Sequence, residues 1–226
     1  MVFKEYLSQL TKSSICVVVQ TNNAFKKIHE TCNNSWINKF LEKGYDIFFV
    51  DYTKSTKGFV DILLDDSFKD YKYVITMFDD LYFQYLNIPS MDSLYDNCCK
   101  LGIDYIRFDG RPPSFSQKKI TIDSLDYFEI KRLKKYSLST VLACFGKEAL
   151  VKIKEKGVNT AWEIETFVNA NKLIAYAPKR RTAKYRNVIV KGKIDLIQLY
   201  MIRTNTISLK HSIKKILYRS VKSIFK

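Results

Sequence analysis

An α/β fold with a mostly parallel sheet flanked by helices is what this sequence predicts, and three observations predict it. Short β-branched and aromatic runs recur along the chain. Segments of helical spacing, several closed by glycine, separate them. The composition, 46% hydrophobic with 15 Tyr and 15 Phe in 226 residues, can bury a sizeable core. Strands alternating with helices favour parallel pairing, because each crossover returns the chain to the same edge of the sheet.

The stretch "SICVVVQ" (14–20) is a short β-branched run that reads as a buried strand. "NSWINKFLEK" (34–43) reads as a helix closing at Gly44. "YDIFFVDYT" (45–53) is a second strand, carrying Asp51 at its end. "VDILL" (60–64) fits either helix or strand. "YKYVITMF" (71–78) is a third strand and runs straight into Asp79 and Asp80. "SMDSLYDNCCKLG" (90–102) has the marks of a helix, with Ser90 as its opening cap and Gly102 as its stop. "IDYIRFDG" (103–110) is a strand broken by "RPPSF", since proline has no N–H for the ladder. "YFEIKRLKK" (127–135) suits a strand with alternating sides. Residues 137–157 pass from strand to helix at about Gly146, "NTAWEIETFVNANKL" (159–173) reads as helix, and "YRNVIVKGKID" (185–195) as an apolar patch around a turn.

The net charge of +15 is unevenly placed. Residues 1–165 hold 23 Lys/Arg against 22 Asp/Glu, whereas residues 166–226 hold 15 Lys/Arg against the single acid Asp195. Such asymmetry points to an anionic partner. In "ISLKHSIKKILYRSVKSIFK" (207–226), Ile213, Ile216, Leu217, Val221, Ile224 and Phe225 recur at three-to-four spacing among lysines. A basic amphipathic helix of this kind suits the headgroup layer of an anionic bilayer. The alternatives are a helix docked on its own domain and a nucleic-acid contact. No organised recognition motif supports the last. The expected division is a domain over 1–200 and a basic amphipathic tail over 201–226.

Other classes are disfavoured. The five cysteines form no C-x-x-C pair and the two histidines are far apart, which argues for reduced thiols and against zinc. No apolar stretch approaches the ~20 residues that span a bilayer. The N-terminal stretch lacks the apolar core of a signal peptide.

Three constellations carry possible chemistry. Adjacent carboxylates repel, so Asp79-Asp80 is either a solvated turn or a seat for a cation. Ligands of open α/β sheets bind at the carboxyl ends of strands, which is where Asp51 and Asp79-Asp80 fall. "NTAWEIE" (159–165) sets Glu163 and Glu165 beside a tryptophan. Two residues apart on a helix they point differently, so at most one faces a given site. A carboxylate against an aromatic wall can serve as general base, and a solvated helix face is the plainer reading. Finally, "PKRRTAKYRN" (178–187) and "VKGK" (190–193) offer Arg180, Arg181 and Lys191 to a phosphate, or merely continue the basic tail.

In order and character these pieces resemble the bacterial glycosyltransferases of lipopolysaccharide O-antigen and capsule synthesis, nucleotide-sugar-dependent enzymes of GT-A-like (Rossmann-like) type. The stretches "YVITMFDDLYF", "MDSL", "GIDYIRFDGRPP", "YSLSTVLACFGKEALVKI", "AWEIE" and "NVIVKGK" carry the resemblance, over roughly residues 70–193. It implies that Asp79 and Asp80 hold Mn²⁺ or Mg²⁺ and the sugar-nucleotide diphosphate, although the pair reads D-D rather than D-x-D. It also implies that Glu163 or Glu165 deprotonates the acceptor hydroxyl and that Asp51 lies near the nucleotide. The partners implied are a nucleotide-sugar donor and a polyprenyl-diphosphate-linked saccharide acceptor, at the inner face of the cell membrane. The expected location is cytoplasmic and peripheral. The alternative is a non-enzymatic peripheral membrane or scaffold protein.

Deleting residues 207–226 is expected to release the protein from anionic vesicles in a sedimentation assay. A truncated chain that still pellets with the vesicles would place the anchor elsewhere.

Overall fold

A computed structural model of the chain describes residues 2–7, 14–21, 36–52, 55–79, 81–109, 114–131, 133–166, 173–187, 189–190 and 193–194. Along its first half run β1 (Val2–Tyr6), β2 (Ile15–Thr21), α1 (36–42), β3 (Asp46–Asp51), α2 (Phe59–Leu63), β4 (Tyr73–Phe78), β5 (Leu81–Leu86) and α3 (Met91–Leu101). The second half adds β6 (Tyr105–Arg107), β7 (Phe115–Ile122), β8 (Leu125–Ile130), β9 (Ala143–Gly146), α4 (Lys147–Glu155) and α5 (Ala161–Thr166). It ends with β10 (Ala175–Pro178), β11 (Ala183–Asn187), β12 (Ile189–Val190) and β13 (Lys193–Ile194).

All seven residues of β2 are buried. Successive side chains of a strand point to opposite faces, and here each face has its own helices. Ile15, Val17 and Val19 join Trp36, Phe40 and Leu94 of α1 and α3. Cys16 and Val18 join Val60, Leu63, Leu150 and Ile153 of α2 and α4. Each fully buried Val contributes about 1.5–3 kcal/mol relative to exposure, so a slip of register by one residue would be opposed on both faces at once.

The main sheet has the order β1-β3-β2-β4-β9-β6-β10-β8-β7. β2 is parallel to both β3 and β4, and β6 to β10. β3, β2, β4, β6 and β10 therefore point one way, as the expected parallel sheet requires. β9 lies between β4 and β6 and runs against both. Its direction follows from its entry: Ala143, its first residue, sits opposite Thr76 and Arg107, near the strands' carboxyl ends. The outer strands β1 and β8 are also antiparallel to their neighbours, so the sheet is mixed at its margins.

The helix stops read from glycine hold: Gly44 and Gly102 take φ of 88° and 61°, a left-handed conformation that favours glycine. Ser90 starts α3 without a side-chain cap; its N–H is met instead by Asp123 Oδ2 at 2.6 Å, from the turn between β7 and β8. The ambiguous "VDILL" is helical and forms most of α2. The strand read at 127–135 ends at Ile130. β5 and β7 lack a clean alternation and were not legible. β7 pairs with β8, and β5 forms a separate ribbon with β11. The patch at 185–195 includes a short hairpin, β12 with β13. Cys16, Cys98 and Cys144 are buried free thiols and Cys99 is an exposed one. Among the described residues no helix is long and apolar enough to cross a membrane. Asp80, Lys191, Cys32 and the tail at 201–226 lie outside the described residues.

Phe145 of β9 is fully buried, its ring 4.8 Å from that of Tyr105. Phe145→Ala is expected to cost about 3–5 kcal/mol, read as a lowered urea midpoint with an unchanged slope.

Candidate active site

Three neighbouring strands finish together at one edge. Thr21 of β2 sits opposite Asp51 of β3, and Gln20 opposite Phe78 of β4. One residue on, the Asp79 N–H donates to the Gln20 carbonyl at 3.1 Å, and the Thr21 hydroxyl donates to Asp79 Oδ2. Asp51, Thr21 and Asp79 are 2%, 1% and 6% exposed. Burying a carboxylate is costly unless its oxygens are met, and Thr21 meets one of them. β3 and β4 flank β2, which sets the two aspartates about 10 Å apart at strand spacing.

Next along the edge comes the loop that feeds β9. The Thr76 hydroxyl donates to the Thr140 carbonyl at 2.8 Å, and Thr140 donates both its N–H and its hydroxyl to Glu165 Oε1, each at 3.1 Å. Glu165 is thereby tied to β4 three residues before Asp79. Tyr105 steadies the same loop, its hydroxyl accepting from Ser139 N–H at 2.7 Å and donating to the Ser139 carbonyl at 3.3 Å.

Glu163 does different work. Its Oε2 accepts from the N–H groups of Asn159 at 2.9 Å and Thr160 at 2.8 Å, and Thr160 Oγ1 accepts from Glu163 N–H at 3.1 Å. This is a capping box that starts α5, and those N–H donors hold the carboxyl below its usual range. Asn159 also anchors α5 to α2: its amide donates to Asp61 Oδ2 at 2.6 Å and its Oδ1 accepts from Asp61 N–H at 3.2 Å. Gly58 makes room, since a Cβ there would run into the Asn159 amide. An aromatic wall at Trp162 would raise a neighbouring carboxyl, but Glu163 is held low by its N–H donors, and the described ring contact of Trp162 is with Tyr136. Trp162, 62% exposed, packs edge-on against Tyr136 at 5.9 Å. Tyr136 has a left-handed φ of 65°, donates its N–H to the Glu165 carbonyl at 2.6 Å and accepts from Arg107 Nη1 at 3.0 Å.

Sequence reasoning missed a cluster at the end of β6. Arg107 Nε lies 3.0 Å from Asp109 Oδ1, and the Tyr185 hydroxyl donates to Asp109 Oδ2 at 2.6 Å. Burial, then the Asp109 carboxylate, pushes the Tyr185 phenol well above its ordinary range, so it remains a donor. A signal was available: "IRFDG" places an acid just past a strand, as at Asp51 and Asp79.

A cavity of about 620 Å³ opens at the end of β10, lined in part by Tyr85, Phe128, Lys179, Arg180 and Arg181. Another, of about 400 Å³, lies at the opposite edge against Tyr73, Cys99, Asp104 and Lys147. Asp51 and Asp79 line neither. Among the described residues no three of His, Cys, Asp and Glu are grouped to hold a metal ion. Asp51, expected near the nucleotide, lies at the acidic strand ends, and Arg180 and Arg181, read as phosphate-binding, lie at the β10 cavity.

No protein-family model and no curated protein sequence matches the chain. Solved structures similar to the chain at low identity include the following two. A197 from STIV shares 12% identity at a TM-score of 0.44, over 77% of this chain and 86% of its own. An apo UDP-glucose pyrophosphorylase shares 12% identity at a TM-score of 0.43, over 77% of this chain and 76% of its own.

Glu163→Ala is expected to speed amide exchange at Asn159 and Thr160 and to lower stability near neutral pH. Because the folded carboxyl titrates below its unfolded value, its contribution is present above that unfolded value and fades as pH falls through the folded one. The stability gap between variant and parent should therefore close on acidification, and a gap that stays constant would contradict the capping role.

Proposed function

We propose that the chain is a GT-A-like glycosyltransferase that moves a sugar from a nucleotide-sugar to a lipid-linked or saccharide acceptor in bacterial surface polysaccharide synthesis. The observation that carries this reading is the burial of Asp51 and Asp79 around Thr21, at the shared carboxyl edge of β3, β2 and β4. That edge is where open α/β sheets take ligands.

The donor atoms there are all oxygen, which suits Mg²⁺ or Mn²⁺. Mg²⁺ is commonly held by one or two carboxylates with substrate phosphates completing its shell. A site with fewer than three grouped protein carboxylates therefore fits. Asp79 and Asp80 are the residues that would hold the ion, with Asp51 toward the nucleotide. Once bound, such a cation neutralises the charge of a departing diphosphate.

Glu165 is the residue assigned as general base. Thr140 holds its Oε1 through two donors, and among the described residues Oε2 is left for the acceptor's hydroxyl proton. As that proton moves, the acceptor oxygen bonds to the anomeric carbon and the bond from that carbon to the diphosphate breaks. Tyr136, whose N–H meets the Glu165 backbone carbonyl, and Trp162, one turn before Glu165 on α5, are exposed rings whose faces suit a sugar of the acceptor. Glu163, engaged in its capping box, keeps α5 in place. The basic tail would hold the enzyme at an anionic membrane surface, in the cytoplasm, where a polyprenyl-diphosphate-linked acceptor resides.

One observation favours a second reading, a non-enzymatic peripheral membrane or scaffold protein: neither described cavity is lined by Asp51 or Asp79. A thermal-shift screen against UDP-, GDP-, CMP- and dTDP-sugars, with and without Mn²⁺, separates the two. Stabilisation by one class, enhanced by Mn²⁺, is expected. No response to any of them would favour the scaffold. With a responding donor in hand, Asp79→Asn is expected to abolish transfer while unfolding stays cooperative. Glu165→Gln, which keeps an acceptor for Thr140, is expected to lower kcat by about 10²–10⁴-fold. Full transfer by Asp79→Asn would remove the role given to the acid pair.

A further inference from the structure

We infer that the 620 Å³ cavity at the end of β10 is a separate anion site, shaped for a phosphate or diphosphate carried on an apolar group. Lys179, Arg180 and Arg181 supply three positive charges to its wall. Among the described residues neither guanidinium has a hydrogen-bond or ion-pair partner. The wall's acid, Asp126, is already met by Lys119 at 3.3 Å and Thr121 at 2.7 Å. Adjacent cations repel one another until an anion arrives, and planar guanidinium forks match the paired oxygens of phosphate. The rest of the wall is mixed, with polar Asn87, Ser124 and Thr182 among apolar and aromatic residues. Tyr85, Leu125 and Phe128 line it, and Lys179 Nζ lies 3.8 Å from the centroid of the Phe128 ring. A bare inorganic ion would use none of that surface.

The strand registers separate this cavity from the acidic strand ends. Ala143 pairs with both Thr76 and Arg107, and Ile106 pairs with Tyr176. Pro178 of β10 is thus level with the last residues of β4, on the same edge. Three strand spacings lie between β4 and β10, about 14 Å. Arg180 and Arg181 therefore stand apart from the diphosphate that a cation held by Asp79 would face. On the activity proposed above, and resting on it for the ligand's role, this anion is the phosphate of the lipid-linked acceptor, with the donor at the acidic end.

Titration calorimetry on the full chain tests the assignment with farnesyl diphosphate, inorganic pyrophosphate and UDP as probes. Farnesyl diphosphate is expected to bind at least tenfold more tightly than pyrophosphate. R180A/R181A should weaken it by thirtyfold or more, R180K/R181K by less, and Asp79→Asn should leave it unchanged. Both arginines are exposed, so these variants should keep the parent's circular dichroism. Unchanged farnesyl diphosphate affinity in R180A/R181A overturns the site. Equal affinity for pyrophosphate overturns its apolar part. Loss of UDP binding in R180A/R181A would make it a donor subsite and overturn the separation. Arginine-dependent farnesyl diphosphate binding without any nucleotide-sugar response would sustain this site while removing the proposed activity.

Discussion

Every side chain of β2 from Ile15 to Thr21 is buried, with one set of helices on each face. The strand must satisfy its backbone through its neighbours alone, and it does so by pairing in parallel with β3 on one side and β4 on the other. Two-sided burial locks the register of all three strands, because a slip would move apolar groups on both faces together. The site inherits that register. Asp51, Thr21 and Asp79 arrive at one edge because the strands carrying them cannot slide.

The second constraint is β9. A strand entered from the carboxyl edge must run against its neighbours, and the loop that feeds it lies over that edge. Thr76 is buried in β4, where an unmet hydroxyl would be costly. It bonds the loop at Thr140, and Thr140 in turn bonds Glu165. A hydrogen-bonding need of the core thus places a carboxylate of α5 beside the strand ends. Charge then varies in order along the edge: acids at β3 and β4, Glu165 at the loop before β9, the Arg107–Asp109 pair at β6, and cations beyond β10.

Much of this was legible locally. The β-branched run at 14–20, the glycine stops at 44 and 102 and the strand-to-helix change at Gly146 each depend on a few neighbouring residues, and each appears where local chemistry puts it. The capping box around Glu163 was also open to local reading, since Thr160 and Glu163 have the required spacing. Other features were not. β5 and β7 are strands because distant partners, β11 and β8, complete their ladders. Ser90 looked like a self-sufficient cap, but Asp123, from a turn far along the chain, takes its N–H.

The sequence by itself determined which segments are apolar enough to be buried, where helices stop, that acids follow strands, and that positive charge gathers after residue 165. Those properties depend on composition and on contacts within a turn or two. Only the tertiary structure decided that β9 runs against the sheet, that Glu165 rather than Glu163 meets the strand edge, and that Arg180 and Arg181 stand three strands away from Asp79. Each of these depends on which distant segments share a ladder or a hydrogen bond, and spacing along the chain carries no record of that.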